Sequence, residues 1–566
     1  MIEQLRAFDT SDLVKKRLPP VMSAPASTPG MLTGVVFAAL TNFPSMIPKN
    51  GLVQGVVLGI TFAIGYGFGA ALHWLWRFLE LPSPQGRVWR SLAWIWYLLL
   101  PALLLFSAWH YVGWQNTARA AFGMETISPL VWLVVVPVAA AVTLLVFIVA
   151  RSLRKLFNLI VHWFDQHLPR RLALLVGGVA FFGMMWGLWS GVMVDAFFAA
   201  ANQILAPLDA STDDGIIQPQ SANRSGSPAS QVDWETLGRQ GRNFVATGPS
   251  ESDLNQFHGG GALEPIRVYV GLNSAETVAE RARLVLDELI RTDAFDRNVL
   301  VLATTTGSGI VESNAIDALE YVTKGDVAVA SVQYSYLSSV LSLLADADEV
   351  RQASRVVFDE IHSHWSGLHE DSRPELYLYG LSLGAYGVES ILTSIAIINA
   401  PIDGALMVGP PFISGLWSQL VADRDPGSTP ATPVYEEGRT VRFTNETSAV
   451  SLPKGEWGDT RILYLQNASD PVVFFTPSLL FDQPDWLRDG QRSADIVEGF
   501  VWIPLVTMWQ VLMDGAAAGS VPEGYGHLYS KQANADAWIA VIDPEGWSDT
   551  ETDRLKEHLT ALGPAE

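Results

Sequence analysis

The chain has 566 residues, of which 49% are hydrophobic and only 17% are charged, an apolar balance for a soluble protein. Its formal net charge of -22 argues against a nucleic-acid partner, because contacts with phosphate need a basic surface. The absence of cysteine excludes disulfides, thiolate metal sites and cysteine nucleophiles.

Four stretches in the N-terminal third have the length and apolar character that a bilayer core requires, about 20 residues. They are residues 52–72, 92–109, 130–150 and 172–194. A fifth, residues 31–43, is short and stopped by Pro44, which leaves open whether it spans, re-enters or lies at the interface. The alternative, a buried helical core, is disfavoured by the basic connectors between the runs. The sequence therefore predicts a transmembrane domain of four or five helices over residues 31–200, after a cytoplasmic segment over residues 1–30.

Basic residues are concentrated in alternate connectors of this region. Those after residues 72 and 150 are the basic ones, with Arg77, Arg87, Arg90, Arg151, Arg154, Lys155, Arg170 and Arg171. The connector between them, residues 109–130, carries only Arg119. Because basic loops remain in the cytoplasm, the chain after residue 194 is predicted to emerge on the opposite side.

The composition changes after the last apolar run. Residues 206–230 are rich in Ser, Asp, Gln, Pro and Gly, which is typical of a linker, and we place this linker over residues 201–233. After Glu264, β-rich runs such as "IRVYVGL" and "NVLVLATTT" alternate with helical runs such as "TVAERARLVLDELIRT". Such alternation predicts a mostly parallel sheet with helices on both faces, in a domain over residues 234–566. Ligands of such sheets bind outside the carboxyl ends of the strands.

A serine between glycines stands at the end of one predicted strand, in "YLYGLSLGAYG". Gly380, Ser382 and Gly384 form a Gly-x-Ser-x-Gly pattern, and a helical run follows from Leu383. A nucleophile elbow requires this strand–turn–helix context, since its tight turn leaves no room for side chains beside the serine. The alternative is a glycine-rich turn with an incidental serine.

An acid and a base that could activate Ser382 follow it in the chain. His527, in "PEGYGHLY", comes after a glycine turn and before a helical run, whereas the other histidines of this part precede the serine or lie in charged helical sequence. Asp470 ends the strand "RILYLQNASD". A hydrogen bond from the histidine ring to this carboxylate would hold the tautomer that accepts the serine proton. For Asp470 alone a strand-end turn is the alternative, and Asp423 and Asp425 are the other acids considered.

An acyl-transfer site also needs donors for the oxyanion that forms on the attacked carbonyl. The backbone N–H of Leu383, directly after the serine, is expected to supply one. The second is expected from an earlier strand-end loop, and "ATTTGSG" (residues 303–309) is the best candidate. Within it, the choice between the amides of Thr306 and Gly307 stays open.

With these residues the chain resembles a bacterial family of membrane-anchored α/β-hydrolases, in which a transmembrane domain precedes a hydrolase domain. The resemblance is carried by stretches such as "EPIRVYVGLNSA", "ATTTGSG", "VGPPF", "ASDPVV", "PDWL" and the "GYGH" turn, and it covers nearly the whole chain. It implies an α/β-hydrolase fold with Ser382, Asp470 and His527 as a catalytic triad. Together with the basic connectors, this leads us to expect a bacterial inner (cytoplasmic) membrane, crossed several times, with the hydrolase domain on the extracytoplasmic, periplasmic side. No strand pattern precedes His527, which predicts that the last sheet strand is short or absent.

Two inserts are expected near the site, over residues 412–459 and 471–519. The second contains Phe474, Phe475, Trp486 and the run "FVWIPLVTMWQVLM". These aromatic side chains suit a lid or acyl-chain pocket, and equally the packed core of a cap.

The sequence therefore favours a membrane-anchored serine hydrolase, esterase- or lipase-like, that acts on a lipidic or lipid-soluble ester outside the cytoplasm. The alternatives are an acyltransferase with the same triad and a non-catalytic α/β-hydrolase fold that serves as a binding or scaffold protein. The expected partners are the lipid bilayer and the ester or lipid substrate, and we expect neither a cofactor nor a metal.

Overall fold

A computed structural model describes residues 27–82, 87–188, 204–446, 453 and 455–563. The chain forms two compact units. The first, here called the helical unit, consists of Met1–Val194 with Pro477–Asp482 and Val497–Ala517. The second, here called the sheet unit, consists of Asp195–Thr476, Gln483–Ile496 and Ala518–Glu566.

Long apolar helices form the N-terminal part of the helical unit. In chain order they are α1 (Thr28–Leu40), α2 (Gly51–Phe78), α3 (Arg87–Ala121), α4 (Trp132–Asp165) and α5 (Arg170–Gly187). Asn50 precedes α2, and its side chain accepts a hydrogen bond from the Val53 amide at 3.0 Å. Such a cap satisfies one of the backbone donors that a helix start leaves unpaired.

Glycines on α2 allow it to pack closely against α1 and α4. A Cβ added at Gly65 would lie 2.8 Å from the Thr33 carbonyl oxygen. The Thr33 hydroxyl donates to the Gly65 carbonyl at 2.6 Å. A Cβ at Gly55 would lie 2.7 Å from Val138 of α4. Small residues that let helices approach this closely are typical of helix packing in membranes.

By length and composition, two of the described helices could cross a membrane, Gly51–Phe78 and Pro129–Asp165. They contain the predicted spans 52–72 and 130–150. The predicted span 92–109 lies within α3, and the span 172–194 begins in α5 and extends beyond the described residues. The shorter apolar helix α1 contains most of residues 31–43. The predicted cytoplasmic segment lies, up to residue 26, outside the described residues.

Part of the second predicted insert belongs to the helical unit, which corrects the assignment of all residues 234–566 to one domain. Asp514, in the helix Thr507–Gly515, is fully buried and forms an ion pair with Lys49 Nζ at 2.5 Å. Its carboxylate also accepts from the Met46 amide at 3.0 Å. Burial raises the pKa of Asp514, and the nearby lysine charge and hydrogen bonds oppose that rise. A buried carboxylate needs such partners, and here they come from the N-terminal part of the chain.

A parallel sheet forms the centre of the sheet unit, with the strand order β1-β3-β2-β4-β5-β7-β6. The strands are β1 (Ile266–Val270), β2 (Val299–Thr304), β3 (Val327–Val332), β4 (Glu375–Leu381), β5 (Gly404–Val408), β6 (Val441–Thr444) and β7 (Arg461–Leu465). Their Val-, Leu- and Ile-rich runs are mostly buried, as expected of a parallel sheet covered on both faces. In the described residues no strand follows β7, in agreement with the short or absent last strand that the sequence predicts.

Helices alternate with these strands along the chain, as the sequence pattern predicts, and all but one of these described helices belong to the sheet unit. They are α6 (Gly238–Ala246), α7 (Glu251–His258), α8 (Val278–Arg291), α9 (Ser313–Val322), α10 (Ser339–Ser366), α11 (Leu383–Leu392), α12 (Ala396–Asn399), α13 (Gly415–Ala422), α14 (Pro471–Phe474), α15 (Thr507–Gly515, in the helical unit), α16 (Lys531–Ile542) and α17 (Asp549–Leu562). β4 lies between β2 and β5, so the carboxyl end of β4 is flanked by two neighbouring strand ends.

The predicted linker, residues 201–233, is from residue 204 onward an ordered arm of the sheet unit, which corrects that prediction. Arg224 forms a β-bridge with Arg267 of β1. Glu288 of α8 is buried and accepts from the Ser225 hydroxyl at 2.9 Å and from the Gln231 amide at 2.7 Å. Polar residues whose composition indicated a linker are therefore bound to a buried carboxylate.

Candidate active site

β4 ends in a sharp turn that carries Ser382, and α11 begins at the next residue. The Ser382 backbone has φ 56° and ψ -122°, a strained conformation for a residue with a side chain. A Cβ at Gly380 would lie 2.3 Å from the carbonyl carbon of Gly384. A Cβ at Gly384 would lie 2.3 Å from the Thr304 carbonyl oxygen. This is the strand–turn–helix arrangement that the two glycines predict.

The turn after β7 holds an aspartate beside a histidine. Asp470 is fully buried, and its Oδ2 lies 2.6 Å from Nδ1 of His527. Neighbouring residues join the two segments: the Gly526 amide donates to Ser469 Oγ at 3.1 Å, and Asn467 donates to the Gly526 carbonyl at 3.2 Å. The position of the histidine is therefore fixed by several contacts with the end of β7.

Ser382 and His527 both lie against the end of β5. The Ser382 amide donates to the Val408 carbonyl at 2.9 Å. The next residue, Gly409, has φ 52°, and a Cβ there would lie 2.8 Å from Cε1 of His527. Nε2 of His527 is buried and has no hydrogen-bond partner among the described residues. The site thus combines a serine in a strained backbone conformation with a histidine whose Nε2 is available to accept a proton.

The surroundings of His527 favour its protonated form. Burial lowers the pKa of the imidazole, but the charge and hydrogen bond of Asp470 outweigh burial and raise the pKa above its usual value. The carboxylate of Glu312, which precedes α9, adds to this rise. A base of this kind holds a proton firmly once it has accepted one, and it becomes protonated as the pH falls through its raised pKa.

The expected oxyanion donors are only partly available. Leu383 is the first residue of α11, where a backbone amide has no partner within the helix. The amides of Thr306 and Gly307 instead donate to the Ile310 carbonyl at 3.0 Å and to Ser339 Oγ at 3.3 Å. Both predicted amides therefore already have hydrogen-bond partners, one within the loop after β2 and one at the start of α10.

Comparison with known families gives two matches on this chain. A model described as the alpha/beta-hydrolase family matches residues 266–555, which include Ser382, Asp470 and His527. A model of the N-terminus of that family matches residues 43–249. The chain belongs to this α/β-hydrolase family.

Individual proteins add little to this assignment. A comparison with curated proteins gave no match. Among solved structures, an acetylxylan esterase described at 0.90 Å resolution is similar with 14% sequence identity and a TM-score of 0.20, over 31% of this chain and 85% of that chain. A similarity of this size does not bear on the activity of the present α/β-hydrolase, which has to be argued from its own residues.

A tyrosine that the sequence analysis missed contacts the aspartate of this α/β-hydrolase. Tyr529 is buried, and its hydroxyl donates at 2.7 Å to Asp470 Oδ2, the oxygen that also faces His527. The tyrosine follows the histidine by two positions, in "GYGHLY". His527 lies in a turn and not in a strand, so residue spacing gave no signal that Tyr529 would contact the aspartate.

The aromatic residues of the second insert have two different environments. Phe474 is buried and packs against two buried tryptophans, Trp417 at a centroid distance of 5.9 Å and Trp486 at 6.1 Å. These three rings form a buried aromatic cluster. Phe475 is only partly buried and packs edge-on against Phe412 at 4.8 Å. The rings of this second pair are therefore only partly covered by protein.

The first insert is tied to the serine helix by a buried glutamate. Glu389 of α11 accepts from the Trp417 amide at 2.9 Å, the Leu416 amide at 3.2 Å and the Tyr464 hydroxyl at 2.9 Å. Burial raises the pKa of Glu389 to about 7, although the three donors oppose the rise. The first turn of α13 is therefore held by a carboxylate two helical turns beyond the serine.

Proposed function

We propose that this α/β-hydrolase is a membrane-anchored serine hydrolase that cleaves a carboxylic ester, with Ser382, Asp470 and His527 as its catalytic triad. The proposal rests on the strained conformation of the serine and on the 2.6 Å contact between aspartate and histidine, all close to the end of β5. Strain of this kind persists only where surrounding structure enforces it, and it is concentrated at functional sites.

The proposed reaction assigns each residue one role. Nε2 of His527 accepts the hydroxyl proton as Ser382 Oγ bonds to the ester carbon and the carbonyl electron pair moves to oxygen. Collapse of this intermediate breaks the ester C–O bond, and the imidazolium gives its proton to the departing alcohol. Water then repeats the sequence on the acyl-enzyme and releases the acid. Asp470 accepts from Nδ1–H and so holds the tautomer in which Nε2 is basic.

The proposed substrate is a lipidic or lipid-soluble ester. Phe412 and Phe475 offer partly exposed rings on the segments after β5 and β7. Tyr386 and Ile413 are partly buried and pack on the apolar cluster that contains Leu383, the residue after the serine. Apolar side chains around a few polar groups suit the binding of an acyl chain.

We further propose that the helical unit anchors the enzyme in a bacterial inner membrane. Helices Gly51–Phe78 and Pro129–Asp165 have the required length and composition. Large apolar side chains of this unit are strongly exposed, with Leu105 at 70%, Trp109 at 84% and Leu133 at 73%. Soluble proteins rarely expose apolar surface on this scale. The basic connectors favour an extracytoplasmic position for the sheet unit.

Labelling with a serine-directed fluorophosphonate tests the activity. Mass spectrometry should find the adduct on Ser382, and Ser382→Ala should abolish labelling while the matched control Ser394→Ala keeps it. His527→Ala should lower turnover by about 10⁴-fold or more. Folded protein that shows no adduct, or an adduct elsewhere, would exclude the proposed activity. Acyl transfer to an added alcohol would identify an acyltransferase that uses the same acyl-enzyme.

Cysteine labelling tests the topology, because the chain contains no cysteine of its own. One cysteine replaces Asp371, an exposed residue of the sheet unit. The other replaces Asn158, an exposed residue between the two basic ends of the segment 151–171. A membrane-impermeant maleimide applied to intact cells should label the first and not the second. The reverse pattern would overturn the proposed orientation.

A further inference from the structure

The loop that follows β2 lies against the serine turn. A Cβ at Gly384 would lie 2.3 Å from the Thr304 carbonyl oxygen and 3.3 Å from the Thr305 carbonyl oxygen. The next residue, Thr306, therefore lies close to the start of α11. Negative charge is favoured there by the helix N-terminus and by the Leu383 amide.

The hydroxyls of the two adjacent threonines are used differently. Thr305 Oγ1 donates to the Val332 carbonyl at 3.1 Å. Thr306 is 5% exposed, and its Oγ1 is buried without a hydrogen-bond partner among the described residues. Nε2 of His527 is likewise buried without a hydrogen-bond partner among the described residues. Burial of a polar atom without a partner is unfavourable, and a site that binds a ligand is one of the few reasons for it to persist.

Hydrogen bonds hold the loop in one conformation. The Thr306 amide donates to the Ile310 carbonyl at 3.0 Å, and the Gly309 amide donates to the Thr306 carbonyl at 3.0 Å. The Tyr269 hydroxyl donates to the Gly309 carbonyl at 2.7 Å. Both backbone groups of Thr306 are thus occupied, which leaves its hydroxyl as the remaining donor. A donor that is fixed before the reaction is what oxyanion stabilisation requires.

We infer that the Thr306 hydroxyl is the second donor of the oxyanion site, alongside the Leu383 amide. The inference rests on the proposed serine hydrolase activity, and it makes Thr306 a catalytic residue through its side chain. When Ser382 Oγ bonds to the ester carbon, the carbonyl electron pair moves to oxygen. The threonine hydroxyl donates a hydrogen bond to that oxygen and keeps its own proton, while the serine proton goes to His527.

The test compares the full chain with its Thr306→Val, Thr306→Ala and Thr306→Ser variants on a soluble ester. Loss of the hydroxyl should lower kcat by about 10²–10³-fold with little change in KM, since the donor acts on charge that develops in the transition state. The serine variant keeps a hydroxyl and should stay within about tenfold of wild type. Affinity for a trifluoromethyl ketone, whose adduct with a serine carries an oxyanion, should follow the same order.

Thr305→Val is the matched control, because it removes a buried hydroxyl that is bound to a backbone carbonyl. It should lower the melting temperature and leave kcat near the wild-type value. If Thr306→Val fails to fold, the alanine and serine variants still differ by one hydroxyl.

Equal kcat in Thr306→Ala and Thr306→Ser would overturn the inference. Fluorophosphonate labelling of the wild-type protein distinguishes a failure of the Thr306 inference from a failure of the proposed serine hydrolase activity. Wild type that labels on Ser382 and hydrolyses ester, with no effect of the Thr306 variants, would refute this inference alone. Wild type that does neither would refute the proposed function as well.

Discussion

Replacing Tyr529 with phenylalanine removes one hydroxyl from the surroundings of the Asp–His pair and keeps the buried ring. That hydroxyl donates at 2.7 Å to Asp470 Oδ2, which also accepts from His527 Nδ1 at 2.6 Å. A hydrogen bond to a charged group contributes about 1.5–3 kcal/mol. We therefore expect Tyr529→Phe to lower the free energy of unfolding of the sheet unit by about that amount.

The same change should shift the pH dependence of hydrolysis in one direction. With one donor fewer, the Asp470 carboxylate attracts the imidazolium more strongly, so the already raised pKa of His527 rises further. Hydrolysis requires the neutral ring and is lost as the pH falls through this pKa. The acidic limb of kcat/KM should therefore move to higher pH.

The assay is the pH profile of kcat/KM on a soluble short-chain ester, together with urea denaturation. Tyr435→Phe is the matched control, because it deletes a tyrosine hydroxyl of the sheet unit that makes no hydrogen bond within the described residues. The control should leave both measurements unchanged. An acidic limb that stays in place or moves to lower pH, with unchanged stability, would refute the assigned role of Tyr529.

Three further changes address other parts of the molecule. The pKa of Glu389 is raised from 4.5 to about 7, so its contribution to the free energy of unfolding should fall by up to about 3 kcal/mol as the pH rises through that interval. Denaturation measured across this pH range should lose that dependence in Glu389→Gln. Lys49→Met should destabilise the helical unit by about 3–5 kcal/mol, because it leaves the buried Asp514 carboxylate without a cation. The double variant Lys49→Met, Asp514→Leu should recover most of the lost melting temperature. Gly409→Ala should lower kcat by roughly 10–100-fold, because its Cβ would displace the imidazole, whereas Gly415→Ala, which meets open space, should not change it.

Local patterns in the sequence predicted much of the site. The strand, the two glycines and the following helix around Ser382 are contiguous, so the turn could be read directly from the sequence. Asp470 and His527 could be proposed because each follows a recognisable strand end or glycine turn, and the structure brings their side chains within 2.6 Å. Their catalytic roles stay predictions until the labelling and kinetic experiments are done.

Features that depend on contacts between distant segments could not be predicted in this way. The second oxyanion donor was predicted among the amides of Thr306 and Gly307, but these are bound to Ile310 and to Ser339, the latter 32 positions after Gly307. The supposed linker is ordered because its polar residues bind Glu288, 57 or more positions later. A composition rich in Ser, Gln and Gly does not indicate whether such a carboxylate is available.

The order of the two units along the chain also decides how the membrane part can be studied. The segment Val497–Ala517 precedes His527 in sequence but belongs to the helical unit. A fragment beginning near residue 231 would keep this segment and lose Lys49, the cation that pairs with Asp514. An uncompensated carboxylate and an uncovered apolar helix would then lie shortly before the histidine. Lost activity in such a fragment would therefore report a disturbed active site. Measuring hydrolysis of soluble short-chain esters and of vesicle-borne long-chain esters by the full chain avoids this disturbance, because both measurements use the same intact protein.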